Sequence, residues 1–307
     1  MFEPSLYLNG KYISYFRIKP RPFSPPKQIN DRATAIPCQE NVFHGVNLTA
    51  SPQAHTTDPL LADIEEWLMA TTNYKGPAFD SDELREIKAK VVNACLILDE
   101  QGITDGFGHV SARVPEHSAL ITIAQVSPGC AALNRLILLD FDGNYLGGAQ
   151  PAPYEWPIHA CIMQARPDVG SVCHTHSKWS ALFSIVKKSL RPAHMYGRFL
   201  PVNGAPVYAH AGLITSIERG HSLAESLRDG AAILLRAHGD AVVGASVEQA
   251  ILRTVQLAFL GELAHMAAVH GGADYLTEAE LATFAGDRSF PARPWEYFLD
   301  RLGDRRV

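Results

Sequence analysis

Helical and strand-like periods alternate irregularly along this 307-residue chain, no repeat of 20–50 residues is visible, and an apolar content of 47% suffices for a well-buried core. These three observations predict an α/β fold with a mixed central sheet between helix layers. The composition also excludes function classes. A net charge of −5 without any Lys/Arg-rich run offers no field for a phosphate backbone, so nucleic acid is not an expected partner. Five cysteines, Cys38, Cys95, Cys130, Cys161 and Cys173, are odd in number and none lies in Cys-x-x-Cys spacing. Neither a disulfide framework nor a thiolate zinc site follows from them. No uncharged apolar run reaches the ~18–20 residues that span a bilayer, and the opening MFEPSLYLNGKYISYF lacks a signal peptide's basic start and apolar centre. No membrane partner is expected, and the cytoplasm is the expected compartment.

The elements follow in order. Residues 1–58 are rich in proline and polar residues, as in KPRPFSPPKQ and NLTASPQAHTTDP, with no sustained period of 2 or 3.6, and read as an arm or a poorly structured extension. The main domain is placed at residues 59–285 and a C-terminal tail at 286–307. LLADIEEWLMA, from Leu60, reads as a short amphipathic helix. Leu84, Ile87, Val91, Ala94, Cys95 and Leu98 recur at helical spacing, with Asp80 or Ser81 to cap that helix and Gly102 to end it. SALITIAQV and NRLILLDFDG are strand-like, the second closing in an Asp-Gly turn. Pro157 suits a first helical turn, so EWPIHACIMQARPD reads as a helix stopped by Pro167. The apolar run VGSVCHTHS follows as a strand. PVNGAPVYAH is strand-like, Thr215 with Glu218 forms a capping-box pattern for a helix to Leu227, and AAILLRAHGDAVVG reads as two strands around a sharp turn. Ser246 with Gln249 opens the longer helix SVEQAILRTVQLAFLGELAHMAAVHG.

The chemistry concentrates in VGSVCHTHS. Alternate strand residues share a face, so His174 and His176 present two imidazoles together while Cys173 and Thr175 turn away. Two imidazoles on one face form half of a catalytic metal site, which takes about three protein ligands and keeps a position open. His238, where an apolar strand ends in His-Gly, is the candidate third imidazole, its glycine permitting the tight reversal. Glu155, at the start of the helix preceding the His-x-His strand, is the candidate carboxylate. The helix dipole and free N–H groups favour its charged form there, which suits metal ligation or proton transfer.

With its context, this pattern resembles the class II aldolase and adducin-like family. The resemblance runs from about Leu84 to about His270 and is carried by GITDGFGHVSARVP, SPG, LDFDG, Glu155 with RPDVGSVCHTHS, and LRAHGDAVVGASVEQA. It implies a three-layer α/β/α fold with a mostly antiparallel central sheet and one divalent metal, zinc, manganese or iron, on His174, His176 and His238. It further implies that Glu155 ligates the free metal and then serves as acid/base. A homotetramer follows too, with active sites between subunits, the tail contributing to the interface and Tyr297 a candidate to reach a neighbour's site.

Departures from the sugar-phosphate members decide the expected substrate. Their motif is similar to Gly-Asn-x-Ser with a Ser-Ser pair before the glutamate, whereas this chain has His109 at the asparagine position and Pro153-Tyr154 in place of the serines. A phosphate pocket without hydroxyl donors is a poor one. The Gly-His-x-Ser-x-Arg form, with Tyr154 and the later HMYGRF segment, resembles the branch that decarboxylates hydroxy-substituted aromatic dicarboxylates. That resemblance implies His109 as a catalytic residue and His109, Ser111, Arg113, Tyr154 and Arg198 as substrate contacts. Arg113 reads equally as a carboxylate partner or as a structural residue near a strand end. His159, one turn after Glu155, either packs or orients that glutamate. Trp156 either walls the pocket or belongs to the core, His194 either reaches substrate or lies in a loop, and His265 and His270 read as solvent-facing or core. Alternatives to the decarboxylase are an aldolase acting on a hydroxy-carbonyl substrate and a non-catalytic adducin-like interaction protein.

Overall fold

A computed structural model describes residues 74–186, 188–284 and 292–307, together with the backbone of two short strands near the start. The chain divides into two compact units, Met1–Glu65 and Glu66–Val307. In the first, strands β1 (Ser5–Leu8) and β2 (Lys11–Ser14) form an antiparallel hairpin in which Leu8 pairs with Lys11. The rest of the arm and the LLADIEEWLMA helix lie outside the described residues.

The second unit is built on eight strands: β3 (His109–Arg113), β4 (Ala119–Ile123), β5 (Leu136–Asp140), β6 (Tyr145–Gly148), β7 (Ser171–Thr175), β8 (Val207–Tyr208), β9 (Ala232–Leu235) and β10 (Gly239–Gly244). They lie in the order β6-β5-β4-β3-β7-β10-β9-β8, antiparallel throughout except for the β8–β9 pair. The sheet is thus mixed and mostly antiparallel. At the β5–β6 hairpin the Asp140 carboxylate accepts from the backbone N–H groups of Asp142 and Asn144, and Gly143 takes φ +89°. A Cβ on Gly143 would lie 2.2 Å from the Trp156 ring, so that indole is half-buried against the sheet and belongs to the core, not to the cavity described below.

Helices α1 (Arg85–Glu100), α2 (Trp156–Ala165), α3 (Lys178–Ile185), α4 (Ile217–Leu227), α5 (Val247–Ala268), α6 (Glu278–Thr283) and α7 (Ala292–Leu302) complete the unit. Alternation along each strand sorts the core into two faces. Val110, Ala112 and Cys173 pack with Val91, Leu98, Ile251 and Leu299 of α1, α5 and α7. Val172, Ala241 and Val243 pack on the opposite face with Ile158, Ile162, Leu223 and Leu227 of α2 and α4. Each of the fully buried Ile158 and Ile162 stabilises this packing by roughly 1.5–3 kcal/mol. A third cluster, with Phe183 of α3 and Leu257 and Leu260 of α5, covers the β9 end. Helix α7, in the segment read as a tail, buries Phe298, Leu299 and Leu302 in the first cluster.

The helix ends differ in detail from the sequence reading. A 3-10 turn over Asp82–Leu84 precedes α1, so neither Asp80 nor Ser81 caps it directly, while Gly102 at φ +63° follows its end as expected. Ser216, not Thr215, caps α4, its Oγ accepting from Arg219 N–H. Ser246 Oγ accepts from Gln249 N–H, and Gln249 Oε1 accepts in return from Ala245 N–H. Among the described residues no helix is long and apolar enough to cross a membrane.

Candidate metal centre

The central strands set the site. His109 of β3 pairs directly with His174 of β7, and Ala241 of β10 pairs with His174 from the other side. His109 and Ser111 alternate with Val110 and Ala112, and His174 with Cys173, so these polar side chains all lie on the α2 face of the sheet. Glu155, the N-cap of α2, enters from above that face. His176 lies one residue past the end of β7, and His238 sits in the β9–β10 turn. The residue in the left-handed conformation at that turn is Ala237, φ +56°, not Gly239 as the sequence reading has it. Gly239 serves close approach instead: a Cβ there would lie 1.9 Å from the Thr175 carbonyl oxygen.

These elements bring one ligand atom each from Glu155, His174, His176 and His238 within 4.8 Å of one another. Glu155 Oε2 lies 3.4 Å from His174 Nε2 and 3.3 Å from His238 Nε2, and the Nε2 atoms of His176 and His238 are 2.9 Å apart. Bonds of ~2.0–2.1 Å in a tetrahedron give ligand separations of about 3.3 Å, so the spacing fits a small divalent ion. The protonation pattern fits as well. His174 Nδ1 donates to the Asp240 carbonyl at 2.8 Å, which leaves a lone pair on its Nε2, and that buried atom has no hydrogen-bond partner. Burial, with the neighbouring imidazoles of His174 and His238, pushes His176 down to about 4, so it is neutral at pH 7, the form a metal requires. Burial opposes ionisation of Glu155, yet the facing His174 and His238 imidazoles, whenever they carry a proton on Nε2, and the Ile214 N–H, 2.7 Å from Oε1, outweigh it and hold the carboxyl well below the usual range.

Beneath the cluster the Asp240 carboxylate is fully buried, and burial raises its pKa. It accepts from Thr175 Oγ1 at 2.8 Å and from Ser180 Oγ, tying β10 to β7 and α3 directly under two of the ligands.

A cavity of about 480 Å³ opens over this cluster. Its lining includes Glu155, His174, His176 and His109, with Gln125 and Ser127 as further polar groups. Its rim is apolar: Phe107, Tyr154 and Leu213 are 66%, 69% and 52% exposed. Phe107 stacks on His176 with ring centroids 5.6 Å apart.

The other sequence candidates divide. Ser111 is fully buried, and its Oγ lies 2.6 Å from His159 Nδ1, so it meets an imidazole and not the cavity. His159 in turn reaches His109 Nδ1 through Nε2 at 2.6 Å. His159 therefore supports His109, a role that neither reading of it as packing or as orienter of Glu155 had named. Arg113 donates through Nε and Nη2 to the carbonyls of Val169, Met163 and Arg166 at the end of α2, contacts of the kind its structural reading expects. These contacts lie at the far end of β3 from His109, and Arg113 is not among the residues that line the cavity. His194 and Arg198 flank a 3-10 turn (Met195–Gly197) that packs on α5, with the rings of His194 and Tyr196 each 5.3 Å from Phe259. Tyr297 is exposed on α7 beside Arg301. Neither Arg198 nor Tyr297 lines the cavity. His265 and His270 are exposed. Phe107, Gln125 and Leu213 are cavity residues that the sequence reading passed over; only Phe107 left a trace, as a bulky aromatic between two glycines.

Residues 89–265 match the family model described as the Class II Aldolase and Adducin N-terminal domain. The 3,4-dihydroxyphthalate decarboxylase of Arthrobacter keyseri is 30% identical over 193 residues, covering 59% of this chain and 78% of that protein. The 5-methylthioribulose-1-phosphate/5-deoxyribulose-1-phosphate aldolase of Rhodospirillum rubrum is 28% identical over 155 residues, 50% of this chain and 69% of that protein. Among solved structures, an aldolase II superfamily protein from Pseudomonas syringae superposes with a TM-score of 0.65 at 23% identity, over 73% of this chain and 94% of that one, which establishes the shared fold.

Proposed function

Since this chain belongs to the class II aldolase and adducin family, we propose that it is a metal-dependent carbon–carbon lyase that decarboxylates a hydroxy-substituted aromatic carboxylic acid of the dihydroxyphthalate type. The observation that carries this reading is the joining of a Glu155–His174–His176–His238 cluster to a cavity of about 480 Å³ rimmed by the large side chains of Phe107, Tyr154 and Leu213, against which an aromatic ring can pack. The relative that decarboxylates 3,4-dihydroxyphthalate supports it.

A divalent ion held by these four residues would supply Lewis-acid stabilisation of the negative charge that collects on oxygen as the C–C bond breaks. Three imidazoles and a carboxylate suit zinc, manganese or ferrous iron. The chain's own groups do the rest. Tyr154 and Phe107 cover the ring and exclude water from it. Glu155, held ionised and oriented by Ile214 N–H, takes the proton of a substrate hydroxyl and returns it to the ring carbon that CO2 leaves. His109 meets the substrate on the floor of the cavity. Arg198 and Tyr297, away from this lining, are proposed to act across an interface of a homotetramer in the cytoplasm, which light scattering of the purified protein tests.

The test is direct. Metal-loaded protein is offered a panel of ortho-hydroxy aromatic dicarboxylates and evolved CO2 is trapped, with elemental analysis to identify the ion. Release from at least one compound is expected, and none from any would refute the reading. A second reading, retro-aldol cleavage of a hydroxy-carbonyl substrate, is favoured by the aldolase relative; a trapped aldehyde product would reveal it.

A further inference from the structure

Helix α3 starts two residues after His176 and carries Ser180 and Ser184, four positions apart and so on one face. Both are buried, and each holds one side of the turn that presents His238. On the near side, Ser184 Oγ lies 3.0 Å from the Ala237 nitrogen and 2.7 Å from the Ala181 carbonyl oxygen. An N–H only donates and a carbonyl only accepts, so this hydroxyl accepts from Ala237 and gives its proton to Ala181. On the far side, Ser180 Oγ donates to the Asp240 carboxylate, whose other oxygen accepts from Thr175 Oγ1 at 2.8 Å. Thr175 Oγ1 in turn accepts at 3.3 Å from the N–H of Ser177, the N-cap residue of α3. The residues on either side of His238 are thus fastened to a helix that grows directly out of the His174–His176 segment.

The fastening offsets two local weaknesses. Ala237 stands at φ +56°, a left-handed conformation that its Cβ disfavours. A metal-binding imidazole is ordinarily oriented by a hydrogen bond at its other ring nitrogen. His174 has one, from Nδ1 to the Asp240 carbonyl, but His238 Nδ1 is buried with no hydrogen-bond partner among the described residues. The direction of the His238 ring therefore depends on its backbone. We propose that Ser180 and Ser184 are positioning residues, a two-point clamp that holds the His238 turn in its ligating arrangement before a metal ion binds. None of Thr175, Ser180, Ser184 and Asp240 lines the cavity, so the clamp acts on the metal centre and not on substrate. The inference rests on the metal reading of the cluster and is independent of which bond is broken there.

The experiment uses full-length protein in two arms. In the first, hydrogen exchange at the Ala237 amide is followed by NMR in chelator-treated wild type, with zinc then added. Protection is expected before the zinc. An amide that exchanges freely until the metal binds overturns the proposal, and this arm needs no variant to fold. In the second, zinc dissociation constants are measured by chelator competition for the wild type, Ser184→Ala, Ser180→Ala and, as a control, Ser226→Ala, whose hydroxyl bonds the Ser222 carbonyl within α4. Each is compared at a temperature where circular dichroism shows it folded, so a purely structural loss of stability leaves the constant where it was. A rise of about tenfold or more is expected in Ser184→Ala and in Ser180→Ala, with none in the control. The visible spectrum of the cobalt-loaded variants should depart from that of the wild type as the ligand set changes. Wild-type zinc affinity in folded Ser184→Ala or folded Ser180→Ala overturns the clamp and leaves the metal reading intact. A wild type that binds no zinc would instead refute the metal reading itself.

Discussion

Acid should unfold the metal-free protein through His159. Burial, reinforced by the nearby His174, pushes this imidazole down to about 3 from an ordinary value near 6.5. The unfolded chain takes up a proton there as the pH falls through 6.5, while the folded chain refuses one until about 3. Between those values the unfolded state binds more protons, so the stability contributed by His159 is complete above pH 6.5 and lost progressively below it. The full slope is ~1.36 kcal/mol per pH unit, so lowering the pH from 6.5 to 4.5 removes roughly 2–3 kcal/mol through this residue alone. With a urea dependence near ~3 kcal/mol per molar, the unfolding midpoint falls by about 0.8 M. The assay is urea unfolding of chelator-treated wild type and His159→Gln across pH 4.5–7.5. The variant has no imidazole to protonate, so its midpoint should fall with a shallower slope. Parallel slopes for the two proteins would refute the reasoning, because they would mean that the buried imidazole takes up its proton without unfolding.

Two further outcomes follow from the site's supports. Gly239→Ala forces a methyl against the Thr175 carbonyl in the centre of the sheet; overpacking of this kind costs about 1–3 kcal/mol, and denaturant unfolding should show that loss together with weaker zinc binding, since His176 and His238 flank the displaced backbone. Removal of the metal should lower thermal stability by about 2.7 kcal/mol relative to a sample with free ion at ~100 times its dissociation constant. Calorimetry should find that zinc no longer raises the melting temperature in His174→Ala.

What was legible in the sequence was what local periodicity determines. The two-residue period of a strand put His174 and His176 on one face, and the start of a helix after a Gly/Pro-rich break located Glu155. His238 announced itself by ending an apolar run. The supports were not legible, because each depends on which strand a side chain meets across the fold. Nothing in the spacing of Ser111, His109 and His159 shows that β3 runs beneath α2, so their shared hydrogen bonds emerge only in three dimensions. Arg113 likewise lies in the same motif as His109, but the four-residue step between them along the strand carries its guanidinium to the other end of α2. Gly239 was read for its conformational freedom when its lack of a side chain is what matters. The β1–β2 pair is the opposite case, two short strands overlooked because the surrounding composition suggested a poorly structured arm.

The cavity joins two kinds of structure with different tolerance for change. Its floor is cross-laced: His109 and His174 are partners in the middle of an eight-stranded sheet, and their neighbours are held by ladder hydrogen bonds on both sides. Its rim is not, since Phe107, Tyr154 and Leu213 stand on three separate connecting segments and none lies within a strand or helix. A change at any of the three alters the shape offered to a ligand without breaking a strand pairing. Selection, natural or in the laboratory, can therefore retune which ligand enters while the candidate metal centre is inherited intact.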